Sequence, residues 1–194
     1  MPTDENKMLA KFIRNTFGAN PNTRIINYLN EDESTSIPIL SCPESPYKDL
    51  TAYATVGLSD YPMYQDNKEF DVRVEIVGVC DSSIEWFPNI LSTSAFYVIQ
   101  KGWLCCPGAV LKNVVNMYDS STELKHIYFT SPFLWQEQLK TLQLETKKVA
   151  WLLSILVTDA EYNYIKQHGA DKFEDLLEES DADVFNIARH SVTI

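Results

Sequence analysis

Residues 149–157, Val-Ala-Trp-Leu-Leu-Ser-Ile-Leu-Val, form an uncharged run of nine with a single hydroxyl. A strand with one wet face alternates polar with apolar side chains, and a membrane-spanning helix needs about 20 apolar residues. This run satisfies neither pattern and is expected to be a strand buried on both faces. Thr158-Asp-Ala-Glu161 follows at once. It is a capping box: the Thr158 hydroxyl accepts from the Glu161 backbone N–H, and the Glu161 carboxylate reaches back. The helix it opens carries Tyr162, Ile165 and Lys166 at helical spacing and stops at Gly169. A central strand therefore feeds directly into a helix, and the rest of the chain has to cover both faces of that strand.

A chain of 194 residues suffices for one well-buried core, and a single domain over residues 1–194 is expected. Thr3 caps a helix over 4–17, with Met8, Leu9, Phe12, Ile13 and Phe17 as its apolar stripe. Strands are expected at Arg24–Leu29, 37–40 and 50–58, with an irregular, proline-bearing stretch at 41–48. Residues 59–67 read as a polar loop with exposed tyrosines. Over 70–79, Val72, Val74 and Ile76 alternate with Asp71, Arg73 and Glu75, which predicts a strand with one polar face. A helix follows with Pro88 in its first turn; Phe87, Ile90, Leu91, Ala95, Val98 and Ile99 form its apolar face and Gly102 its end. Further strands are predicted at 114–118, 124–129 and 141–145, the last as a hairpin into the central strand. Phe173, Leu176 and Leu177 mark a last short helix before the tail at 184–194. The class is α+β: a mixed sheet of about seven or eight strands flanked by three or four helices.

Charge excludes some partners. Sixteen basic against 27 acidic side chains give a net charge of −11, which argues against direct nucleic-acid binding and against anionic membrane surfaces. Residues 159–183 alone carry nine acids, among them Glu174, Asp175, Glu178, Glu179 and Asp181, against two lysines: −7 of the total. Either this is a solvated helical face, or it docks a basic protein such as a nuclease. The loop with Tyr61, Tyr64 and Asp66 is a second candidate contact, since tyrosines anchor many interfaces.

Catalytic signatures are scarce. No Walker loop, Gly-x-Gly-x-x-Gly, Gly-x-Ser-x-Gly or His-Glu-x-x-His occurs. Cys42, Cys80, Cys105 and Cys106 are irregularly spaced, as expected of reduced thiols in a cytoplasmic protein, and no cofactor or metal is called for. The polar, acidic residues 1–6 are unlike a secretory leader. His126, placed by alternation on one strand face with Leu124 and Tyr128, reads as a hydrogen-bonded core histidine. The catalytic alternative is a thiol hydrolase pairing Cys105 or Cys106 with it.

Five blocks carry a resemblance: 51–63 (Thr-Ala-Tyr-Ala-Thr-Val-Gly-Leu-Ser-Asp-Tyr-Pro-Met), Cys106-Pro-Gly108, 124–132 (Leu-Lys-His-Ile-Tyr-Phe-Thr-Ser-Pro), 151–161, and Asp183 with Arg189-His-Ser-Val192. In that order they resemble the suppressor-of-fused domain family, and its short bacterial members in particular. Leu156 stands where many members have a proline, so the resemblance does not fix where the central strand ends. The resemblance implies a non-catalytic protein that grips another protein. Eukaryotic members hold a transcription factor through a peptide added as a strand; short bacterial members are immunity proteins (antitoxins) beside secreted polymorphic toxins, often nucleases. The expectation is a cytoplasmic immunity protein that occludes a cognate toxin, with its acids against a basic cleft. The alternative is a peptide-binding adaptor or regulator that uses an exposed sheet edge.

Overall fold

A computed structural model describes residues 2–193. The elements run α1 (Asp4–Thr16), β1 (Arg24–Leu29), β2 (Ser36–Pro43), β3 (Leu50–Thr55), β4 (Tyr64–Gln65), β5 (Lys68–Glu69), β6 (Val72–Asp81), α2 (Phe87–Lys101), β7 (Val110–Leu111), β8 (Leu124–Thr130), β9 (Leu142–Gln143), β10 (Lys148–Thr158), α3 (Asp159–His168) and α4 (Ala170–Glu179). Short 3-10 turns lie at Leu58–Asp60, Val115–Met117 and Phe133–Trp135. Eight strands make one mixed sheet in the order β1-β2-β3-β6-β10-β8-β7, with β9 pairing on β10; β4 and β5 form a separate hairpin. The α+β architecture expected from the sequence is the one found.

β10 is the centre of this sheet. It runs parallel to β6 and antiparallel to β8, and it continues through Leu156 to Thr158, which places the strand end the resemblance left open. Val149, Trp151, Leu153, Ile155 and Val157 enter a core closed by α1, α3 and α4, through Leu9, Ile13, Phe17, Ile165, Phe173 and Leu177. Leu152 and Leu156 enter a second core under α2, with Phe87, Ile90, Leu91, Ala95 and Val98. Burial on both faces follows from a helical layer on each side. Gly78 on β6 permits the second contact: a Cβ there would lie 2.5 Å from Ser154 Oγ and 2.8 Å from the Phe87 ring.

Several local expectations are corrected. Residues 114–118 are not a strand, because Val114 and Val115 both enter the α2-side core. Adjacent strand residues point to opposite faces, so the segment turns as a 3-10 helix instead. Of 141–145 only Leu142–Gln143 pairs, though it does form the expected hairpin, Gln143 opposite Lys148. The irregular stretch begins later than 41, since Ser41 and Cys42 pair with Tyr53 and Ala52, and Pro43 is tolerated at the end of the ladder. Of 50–58, only Leu50–Thr55 is strand, and the chain then enters the Leu58–Asp60 turn. The strand read as half-exposed is buried along most of its length, Glu75 included. His126 shares a face with Tyr128 but not with Leu124. The register shifts between Val157 and Thr158, skipping Lys125, and Leu124 falls into the α2-side core.

Candidate functional site

The helices that carry the acidic segment are fixed to the end of β10 by a buried ion pair. The Thr158 hydroxyl accepts from Glu161 N at 3.1 Å and Thr158 N donates to Glu161 Oε2 at 2.9 Å, completing the capping box. Arg189, from the tail, donates to both Glu161 oxygens at 2.6 and 2.9 Å and to the Leu156 carbonyl at 2.8 Å. Val192 N donates to Glu161 Oε1 at 3.0 Å. Both Glu161 oxygens and both terminal Arg189 nitrogens are engaged, which offsets the desolvation of the pair; Arg189 Nε alone has no partner among the described residues. Strand, helix start and tail are thus held at one point.

From there α3 leads into α4, which buries Phe173 and Leu177 against the sheet, Phe173 edge-on to Tyr128 with ring centroids 5.3 Å apart. Between α4, the end of β8, the Phe133–Trp135 turn and the tail lies a groove of about 490 Å³. Its floor and walls are apolar: Phe133, Ile155, Leu177, Val184 and Phe185. Glu174, Glu178 and Asp181 sit at its rim. Glu174 Oε1 accepts from Tyr128 Oη at 2.5 Å and from Thr130 Oγ1 at 2.6 Å. Burial, and then the neighbouring carboxylate, push the Tyr128 phenol above its ordinary value. Glu174 Oε2, Glu178 and Asp181 have no ion-pair partner among the described residues.

The rim acids stand where local electrostatics opposes them. The C-terminus of a helix carries about half a negative charge, and cations there contribute about 0.3–1 kcal/mol each. α4 has no basic residue in its last turn and ends instead in Glu178 and Glu179, with Asp181 just beyond. Carboxylates, helix dipole and an apolar slot together suit a long side chain with a cationic head, which buries its stem and keeps its charge at the rim.

The sequence-predicted contact residues do not form one surface. Glu174, Glu178 and Asp181 converge on the groove; Asp175 and Glu179 are exposed on α4 without lining it. Tyr61, Tyr64 and Asp66 lie elsewhere. Asp66 (φ 51°) and Asn67 (φ 60°) turn the β4–β5 hairpin, and Tyr64 packs over Gly102 at the end of α2, where a Cβ would lie 2.7 Å from its ring. Tyr61 is half-buried. That hairpin belongs to the α2 side of the sheet, whereas α4 belongs to the other.

The thiol–imidazole pairing is not formed. Cys105 is in the α2-side core, while His126 faces α3 across the sheet, its ring 5.2 Å from that of Tyr162. Burial pushes both the Cys105 and Cys106 thiols up, away from the reactive thiolate. His126 Nδ1 accepts from Asn113 N at 2.9 Å and Nε2 pairs with Asp159 Oδ1 at 3.0 Å, so both ring nitrogens are engaged. Burial lowers the His126 pKa, outweighing the Asp159 hydrogen bond. Among the described residues no group of three or more His, Cys, Asp or Glu side chains could hold a metal ion, and no helix is long and apolar enough to cross a membrane.

Comparison with known proteins settles the lineage. The family model described as suppressor of fused protein (SUFU) matches residues 33–190. The chain belongs to the suppressor-of-fused family. It is 38% identical over 190 residues to a protein named immunity protein YqcF from Bacillus subtilis (strain 168), covering 98% of each chain. The fold matches a suppressor-of-fused homolog from Neisseria gonorrhoeae at 14% identity, with a TM-score of 0.68 and 98% of both chains covered. It also matches a chain of the Sufu–Fu complex at 16% identity, with a TM-score of 0.71, covering 99% of this chain and 93% of that one. Within this suppressor-of-fused chain, sequence reasoning missed the apolar half of the groove. Phe133 and Phe185 come from irregular segments with no periodicity to mark them. The missing basic residue in the last turn of α4 was a readable signal for the acidic half.

Proposed function

We propose that this chain is a cytoplasmic, non-catalytic immunity protein. It binds a cognate secreted toxin, a basic nuclease domain, and occludes that domain's active site. The observation that carries this reading is the groove with Glu174, Glu178 and Asp181 at the carbonyl end of α4, where unneutralised acids surround an apolar slot. A basic protein answers both features: its Arg or Lys heads meet the rim and their stems the floor. The naming of the 38% identical B. subtilis relative as an immunity protein supports the same reading, and the net charge of −11 would steer a basic partner toward the surface. The chain does this work by covering a surface, so it needs no cofactor. Binding without chemistry places the specificity in the rim.

The test uses the purified protein and the toxin domain encoded beside it. Binding at physiological salt and rescue of growth are expected for the native protein. Glu178→Lys/Asp181→Lys should weaken the complex by at least about tenfold, with an unchanged or slightly raised unfolding midpoint. Equal affinity of the two proteins for that toxin would remove the groove from the interface. No binding and no rescue by the native protein would end the immunity reading.

A further inference from the structure

The two edges of the main sheet differ in how they are closed. β7 is two residues long, too short to template another chain. β1 is six residues, Arg-Ile-Ile-Asn-Tyr-Leu, and it pairs with β2 without interruption from Arg24 opposite Ser41 to Leu29 opposite Ser36. Its other side is an end of the sheet, with no strand beside it among the described residues. Edge strands are normally blunted by lysine, proline, a bulge or brevity. β1 has none of these. Its only charge is at its first position, and Ile25, Ile26 and Leu29 are 45%, 39% and 56% exposed.

From this edge we infer that β1 pairs antiparallel with β1 of a second copy, joining the two sheets into one. The residue order is self-complementary about Asn27. Ile37 and Ile39, the β2 partners of Tyr28 and Ile26, lie in the α2-side core, so Arg24, Ile26 and Tyr28 face that side and Ile25, Asn27 and Leu29 face the other. Directly opposed residues of an antiparallel pair share a face. A two-fold axis through Asn27 keeps that rule: Ile26 meets the second copy's Tyr28, Ile25 meets its Leu29, and Asn27 meets Asn27. Arg24 then falls opposite the end of the second copy's strand, past Leu29, where no like charge faces it. A two-fold axis through Ile26 instead sets Ile25 against Asn27 and leaves Leu29 without an apolar partner. The centring on Asn27 matches every apolar residue of the strand. The β1 edge is separated from the strands that line the α4 groove, β10 and β8, by β2, β3 and β6, so each protomer keeps that groove open.

Sedimentation velocity across the micromolar range, with no toxin present, reads the inference independently of the immunity reading. Reversible, concentration-dependent dimerisation is expected. Asn27→Lys sets two ammonium groups face to face and should weaken the dimer by at least about tenfold while leaving the unfolding midpoint of this exposed position nearly unchanged. Asn27→Cys should form an intermolecular disulfide under mild oxidation, because opposed Cα atoms at about 4.5–5.5 Å suit a disulfide, whereas Ile25→Cys, opposite Leu29, should not. A protein that stays monomeric with Asn27→Cys uncrosslinked overturns the inference. So does a dimer that survives Asn27→Lys, which would lie elsewhere, and so does an edge protected from hydrogen exchange only when toxin is added, which would make the toxin the occupant.

Discussion

Glu161 in the first turn of α3 and Glu75 in β6 are both fully buried, yet their surroundings share almost nothing. Glu161 faces a full positive charge, the Arg189 guanidinium, brought from the tail. Glu75 has no cationic partner among the described residues. Its oxygens accept from Gly57 N at 2.9 Å, Leu58 N at 3.2 Å, Ser59 N at 3.1 Å, Ser59 Oγ at 2.8 Å and Thr55 Oγ1 at 2.6 Å. It is seated at the N-terminus of the Leu58–Asp60 turn, whose N–H groups would otherwise be unpaired. One carboxylate is compensated by a partner distant along the chain, the other by dipoles of a turn that starts two residues after β3. The first arrangement ties the tail to the fold and the second ties two neighbouring strands together. A lost counter-ion and a lost dipole should therefore cost different amounts.

The largest effect should come from Arg189→Met, which leaves Glu161 buried without its ion partner. Loss of about 3–5 kcal/mol is expected by chemical denaturation, and Glu161→Gln in that background should recover part of it. Glu75→Gln removes the charge but turns an NH2 toward backbone N–H groups that only donate. A loss of about 2–3 kcal/mol is expected from the stranded donors. This variant also sharpens the comparison through pH. Burial raises the Glu75 carboxyl above its ordinary 4.5, opposed by the donors from Thr55, Ser59 and Gly57. The folded state therefore holds that proton more tightly than the unfolded state does. Its contribution to stability is present at low pH and is lost as pH rises from about 4.5 through the raised value. In Glu75→Gln that component should be absent from the pH dependence of the unfolding midpoint, whereas Arg189 adds none because it does not titrate. Thr158→Ala should cost about 1 kcal/mol, the ordinary worth of a helix N-cap, since Glu161 keeps its ion pair. The smallest effect concerns His126, a third buried ionisable group. Its pKa is lowered from 6.5, so its contribution to stability is present above about 6.5 and declines as pH falls toward the lowered value. His126→Gln should flatten the stability profile in that window.

The two glutamates also mark what the sequence could say. The capping box at Thr158–Glu161 was legible because both of its partners lie within four residues. Arg189 was not, since nothing in its own neighbourhood points back to α3. Glu75 was read as part of a solvent-facing alternation because period two specifies which face a side chain takes, not what covers that face. The long apolar run at 149–157 and the helical stripes of α1 and α2 carried the layer structure, because apolar side chains recur there at the element's own period, although Met8 of the α1 stripe is exposed. Of the candidate site, the acids of α4 were legible as charge. The groove between them was not, since Phe133, Val184 and Phe185 reach it from segments without periodicity.

Along β10 the antiparallel neighbour changes from β8, which ends at Thr130, to β9, which begins at Leu142. The groove opens beside that change of neighbour, and only Thr130 and Ile155 of its lining belong to the sheet. The remaining wall residues come from a helix end, a turn and the tail. Residues of that rim can therefore change without disturbing a rung of the sheet ladder beneath them.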